Sequence, residues 1–177
     1  MLSALMPLKG HSYLIEASKI VYDHYGKKKV KYLIVGDGPY RKELEGLARS
    51  FGVAELFLFC GYRSGPASRI LNDMDIFVFP SLQESFPYVI LEAMASGLPI
   101  IASRVGGIPE QIVDRETGLL IPPSDSQAIA DSIIWLLDNP ELMSKYGYSA
   151  RNRVKEFFDI AIFRKKMNEL YNGANGK

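Results

Sequence analysis

Residues 81–95, which read S-L-Q-E-S-F-P-Y-V-I-L-E-A-M-A, restrict the possible folds of this chain more than any other stretch. Just upstream runs Asp75-Ile76-Phe77-Val78-Phe79-Pro80, a short apolar segment of β-formers closed by proline, which predicts a buried strand. Downstream, Val89, Ile90, Ala93 and Met94 share one apolar face, which predicts a helix from Pro87 to Ser96 ending at Gly97. The unit is strand, short loop, helix. Glu84 falls at the loop tip and Glu92 two turns inside the helix, with seven residues between them. In open parallel sheets, ligands bind beyond the carboxyl ends of the strands, where such a loop lies.

The same alternation runs along the chain. Strands are predicted at residues 30–35, 56–60, 75–79, 99–103 and 118–121, and residues 1–5 form a short first one. Between them, Gly36-Asp37-Gly38-Pro39 makes a turn, followed by a helix through Leu44, Leu47 and Ala48 that stops at Phe51-Gly52. A short helix is expected near residues 67–72 and another turn at Gly106-Gly107. Ser124-Asp125 caps a helix carrying Ile129, Ile133, Ile134 and Leu137 at helical spacing. From Pro140 onward the pattern is helical, with a break near Phe158-Asp159. There Phe157, Phe158, Phe163 and Tyr171 are expected to pack on the domain body or on something outside this chain. The expectation is an α/β fold: one Rossmann-like domain over residues 1–177, a parallel sheet with helices on both faces, and a helical tail at 140–177.

A length of 177 residues suits one domain, and an apolar fraction of 47% with 23% charged residues is that of an ordinary globular protein. The net charge of +1 argues against a nucleic-acid partner, which usually needs a basic face. The basic cluster Lys27-Lys28-Lys29, between a predicted helix and strand, reads as a solvated loop. A lone cysteine, Cys60, excludes a disulfide framework and a cysteine-based zinc site. No secretory leader and no membrane-spanning run are evident, so a cytoplasmic location is expected, with peripheral contact at the inner membrane face left open.

Taken in order, these residues resemble the C-terminal half of family 4 glycosyltransferases. The match runs through Lys9-Gly10, Gly36-Asp37-Gly38-Pro39, Phe59-Cys60-Gly61 and Asp75 to Ser81, then Glu84-x7-Glu92-Ala93-Met94-Ala95. It continues in Gly97-Leu98-Pro99, Gly106-Gly107-Ile108-Pro109-Glu110 and Thr117-Gly118. Each motif alone is weak; their order along nearly the whole chain is a strong signal. The resemblance implies the GT-B arrangement of two Rossmann-like domains, of which the C-terminal one binds a nucleotide sugar and the N-terminal one the acceptor. It also implies transfer with retention at the sugar. By the same resemblance, Glu84 lies by the donor sugar, Glu92 at the ribose hydroxyls and Lys9 at the diphosphate. The amides around Phe86, Tyr88 and Val89 face the distal phosphate.

That chemistry is physically coherent. Breaking a sugar–diphosphate bond leaves negative charge on the phosphate, which a helix N-terminus and a lysine both stabilise. Pro87 suits the first helical position, where a missing N–H costs nothing. No Asp-x-Asp or histidine cluster suggests a metal, so no cofactor is expected. Each residue also has a plainer reading. Glu84 could cap the following turn, Glu92 could be a solvated helix residue, and Lys9 a surface lysine. His11 could contact phosphate, although a histidine at a helix start is more often polar surface, and His24 reads as surface. Gly36-x-Gly38 lacks the third glycine of a dinucleotide fingerprint, which leaves NAD poorly supported, while Gly36 is expected among the residues that bind the nucleotide sugar. Arg63, in the loop after the predicted 56–60 strand, could lie near the nucleotide base.

One position departs from the family pattern: Ala4 stands where members usually carry an arginine, five residues before the lysine. Ala4 slightly favours the first of two other readings that stay open. One is a non-catalytic binding module that keeps the fold; the other is a nucleotide-sugar epimerase of related two-domain architecture.

Overall fold

The structure, a computed structural model, describes residues 1–26 and 30–174. Lys27, Lys28 and Lys29 lie outside the described residues. Five short strands form two sheets in which every pairing is parallel: β1 (Tyr32–Ile34), β2 (Phe57–Phe59), β3 (Phe77–Phe79), β4 (Ile100–Ser103) and β5 (Leu119–Ile121). They pair as β1-β2 and β3-β4-β5. Residues 1–5, expected as a short first strand, run alongside β1. They contribute one bridge, Leu2 to Val35, with backbone bonds from Ser3 to Val35 and from Leu5 to Asp37 rather than a full strand. In β3 and β4 every residue is buried, as expected for a parallel sheet covered on both faces.

Helices α1 (His11–Tyr25), α2 (Arg41–Ser50), α3 (Ser68–Leu71), α4 (Tyr88–Ala95), α5 (Ile108–Gln111), α6 (Ser126–Asp138), α7 (Pro140–Phe157) and α8 (Ile160–Ala174) fill the connections and the tail. Helix α1 packs along α6 and α2, while α4 packs on α7; both α4 and α6 contact β4. The core is continuous across the sheet, from Leu14, Ile15 and Leu44 through Phe77, Ile100 and Ile101 to Ile90, Met94 and Tyr146. Asp125 caps α6 through a bond from the Ala128 amide, as its place before the apolar run predicts.

The tail breaks at Phe158-Asp159, where the sequence placed the break. Its aromatics separate. Phe158 turns inward, its ring 5.9 Å from that of Phe86, whereas Phe157, Phe163 and Tyr171 stay exposed. None of the described helices is long and apolar enough to cross a membrane.

Candidate active site

Because β3, β4 and β5 run the same way, the loops after β3 and β4 emerge along one edge of their sheet. The loop after β3 carries Glu84. A tight 3-10 turn, Pro7–Lys9, carries Lys9 up to it. The turn closes on Gly10 at φ +71, and a Cβ there would stand 1.9 Å from the Pro80 carbonyl oxygen. Only glycine lets the turn approach the end of β3 this closely.

The result is a contact the sequence did not predict. Lys9 Nζ donates to Glu84 Oε1 at 2.6 Å, across 75 residues of chain, with Glu84 only 10% exposed and Lys9 27%. Ser81 Oγ donates to the same oxygen at 2.7 Å. The Lys9 ammonium also stands 5.9 Å from the Phe79 ring centroid. Lys9 and Glu84 were read separately, one for diphosphate and one for sugar; the fold places them in one ion pair. Ser81 was not singled out at all. Its hydroxyl is indistinguishable in sequence from any loop serine, and only its fully buried position beside Glu84 reveals it.

The second cluster lines a cleft of about 440 Å³. It gathers Glu92 and Val89 from α4, Gly36 and Asp37 from the turn after β1, and Tyr62 and Arg63 from the loop after β2. Ser3 and Ala4 form part of its wall. Glu92, Val89, Gly36 and Arg63, all expected to bind substrate, therefore meet in one place. Among the described residues the Glu92 carboxylate has no hydrogen-bond or ion-pair partner, and Glu92 is exposed. Tyr62, 77% exposed, was missed because one tyrosine in a polar loop carries no periodic signal. A smaller hollow of about 340 Å³, between Arg115, Asp131 and Trp135, contains none of the predicted site residues.

The start of α4 differs in detail from expectation. Pro87 was placed at the first helical position, but it is extended (φ −73, ψ 114) and the helix begins at Tyr88. The extended backbone lets the Pro87 carbonyl accept both the Ile90 amide at 3.1 Å and the Gln111 side chain at 3.1 Å. The α4 N-terminus has no side-chain cap, so its first amides remain available to a ligand anion. The Tyr88 side chain is 78% exposed, while the Phe86 ring serves packing, against Phe158.

His11 is the clearest correction. Expected at the surface, it is 2% exposed, because α1 tucks its first turn beneath residues 1–5. Its Nε2 lies 3.2 Å from Ser3 Oγ, while Nδ1 is buried without a partner. Burial pushes its pKa down to about 4, with the positive charge of Lys9 adding to the shift. It does not join the Lys9–Glu84 pair. His24 is exposed, as read.

The Gly106-Gly107 turn does not open space for a ligand; it clamps the Glu84 loop, with the Gly107 amide donating to the Ser85 carbonyl at 2.7 Å. Among the described residues no group of three or more His, Cys, Asp or Glu comes together.

Comparison with known proteins follows the same lines. Residues 1–153 match the family model for glycosyl transferases group 1. A D-inositol 3-phosphate glycosyltransferase of Corynebacterium glutamicum is 34% identical over 96% of this chain, which spans 42% of that protein's length. The Anabaena protein HepE, solved in complex with UDP, superposes with a TM-score of 0.90 at 26% identity; the match covers 97% of this chain and 47% of HepE. HepE is also known in complex with UDP-glucose. The C-terminal domain of a group 1 glycosyl transferase (LpcC) from Francisella tularensis is 30% identical, with a TM-score of 0.80 over 89% of this chain and 83% of its own. The chain thus spans less than half the length of the curated relative and of HepE.

Proposed function

The chain belongs to the group 1 glycosyl transferases, as their C-terminal Rossmann-like domain, and on that premise we propose that it holds the donor of a retaining hexosyl transfer. The donor is a nucleoside diphosphate sugar and the acceptor a hydroxyl of a glycan, lipid or small molecule. One observation carries this reading: Glu92, Val89, Gly36 and Arg63, from three separate elements, line one cleft at the carboxyl edge of the strands. In it Glu92 accepts the ribose hydroxyls, and Tyr62 and Arg63 border the base. The open N-terminus of α4 and the Lys9 ammonium take the diphosphate, stabilising charge on the leaving group as it develops. Lys9 carries three donor protons and Glu84 uses one of them, so the ammonium can serve both groups. Glu84 faces the sugar and supports positive charge at the anomeric carbon. In this scheme no metal is required.

The acceptor side belongs to a second, N-terminal domain, on the same polypeptide or a partner. The 177-residue chain by itself is expected to bind nucleotide weakly and to transfer nothing. Robust turnover by the purified chain would refute that division of labour. The cytoplasm is the proposed location, where nucleotide sugars would be available, with membrane contact through a lipid acceptor.

Calorimetric titration of UDP, GDP and ADP into this chain tests the proposal. One nucleotide should saturate, and Glu92→Ala should weaken it about ten-fold, the loss expected for a hydrogen bond to a charged group. Equal binding by the variant would remove Glu92 from the site, and no binding by the wild-type chain would defeat the donor-domain reading.

A non-catalytic nucleotide-binding module is the second reading, favoured by Ala4 in the cleft wall where the family usually carries arginine. Glu84→Gln in a two-domain enzyme separates them. Nucleotide binding should persist and transfer collapse if the domain is catalytic, whereas a module would show no transfer even with Glu84 intact.

A further inference from the structure

We propose that Ser81 is the positioning residue for Glu84: its hydroxyl holds one carboxylate oxygen so that the other stays free for the donor sugar. The inference rests on the donor-domain reading above. Both contacts to the carboxylate converge on Oε1, from Lys9 at 2.6 Å and from Ser81 at 2.7 Å. Among the described residues Oε2 accepts from none. The two donors differ in permanence. Lys9 sits on a flexible stem and is also the cation a diphosphate would attract, so its charge is shared between Glu84 and the donor. Ser81 is fully buried, at the rigid end of β3, and has no such competing demand.

A hydroxyl has one proton to give, and besides the Glu84 carboxylate two carbonyls lie near it, that of Gln83 at 3.5 Å, the outer limit of a hydrogen bond. The Leu8 carbonyl is 3.0 Å from Ser81 Oγ, but it already accepts the Leu82 amide at 2.8 Å. The shorter contact, to a charged carboxylate, is therefore the one the proton serves. The same Leu8 carbonyl ties the Lys9 turn to the Glu84 loop, so Ser81 sits where the two halves of the site are joined. Because the position is closed to solvent, no water can replace the hydroxyl if it is removed.

The test compares a nucleotide with its nucleotide hexose. Wild-type chain is titrated with UDP, GDP and ADP, then with the glucose, galactose and N-acetylglucosamine derivatives of whichever binds. The gain in affinity from the sugar is the readout. Ser81→Ala should leave binding of the bare nucleotide within about two-fold and reduce the sugar's gain several-fold, and Ser81→Thr should restore it. In a Glu84→Ala background, Ser81→Ala should have no further effect on that gain, because the group it positions is already gone.

Equal loss for nucleotide and nucleotide sugar, or the same loss in both backgrounds, would make Ser81 structural and overturn the inference. So would a wild-type chain that binds the nucleotide but gains nothing from any hexose. Failure of the wild-type chain to bind any nucleotide is a different result: it defeats the donor-domain reading itself, and this inference with it.

Discussion

Gly106 is pressed against Glu84: a Cβ at position 106 would stand 1.7 Å from the Glu84 carbonyl oxygen. The residue also sits at φ +51, in the left-handed region that side chains disfavour. Backbone from the end of β4 therefore supports the loop that carries the Glu84 carboxylate. The Lys9 turn supports the same loop from another side, through the Leu8 carbonyl.

Replacing Gly106 by alanine must move one of the two backbones. The expected loss of stability is about 2–4 kcal/mol, combining left-handed strain with steric displacement. Urea denaturation of Gly106→Ala against wild type measures it. A loss below about 0.5 kcal/mol would mean that the Glu84 loop yields freely and is not held as described.

Lys9 is expected to supply the charge that a diphosphate feels first. Lys9→Ala should weaken binding of the preferred nucleoside diphosphate about ten-fold at low salt. Wild-type affinity should also fall as salt is raised, and that dependence should flatten in the variant. Titration at two ionic strengths reads both effects. An unchanged salt dependence would show that the α4 amides carry the phosphate alone.

His11 should make the fold sensitive to acid. Its folded pKa of about 4 lies below the ordinary value of 6.5, so the unfolded chain binds its proton first as pH falls. The native state is therefore favoured above pH 6.5, and that advantage drains away between about 6.5 and 4. The full loss is about 3 kcal/mol, from the size of the shift. Denaturation of wild type and His11→Gln at intervals from pH 7 to 4 should show a shallower decline in the variant. Parallel curves would contradict it.

Much of this architecture was legible before any coordinates. The apolar runs at Phe77–Phe79 and Ile100–Ser103 predict buried parallel strands because β-formers bounded by turn residues leave few alternatives. The tail break at Phe158 was equally visible, as was Asp125 as a helix cap. Pro87 missed by one position, because helix boundaries depend on the local backbone rather than on period. His11 was misread because a helix start has no face until something packs on it, and residues 1–5 do so only in the fold.

The alternation of strand and helix, the carboxyl-edge placement of Glu84 and the spacing of Glu84 and Glu92 are all written locally in the chain. All of these follow from local periodicity and chain direction. The partnership of Lys9 and Glu84, the oxygen Ser81 shares with them, and the cleft lined by Gly36, Arg63 and Glu92 arise only when the elements pack. Those contacts join residues tens of positions apart. Side-chain pairing at such a distance is set by how the elements pack, and no period of 2 or 3.6 residues encodes it.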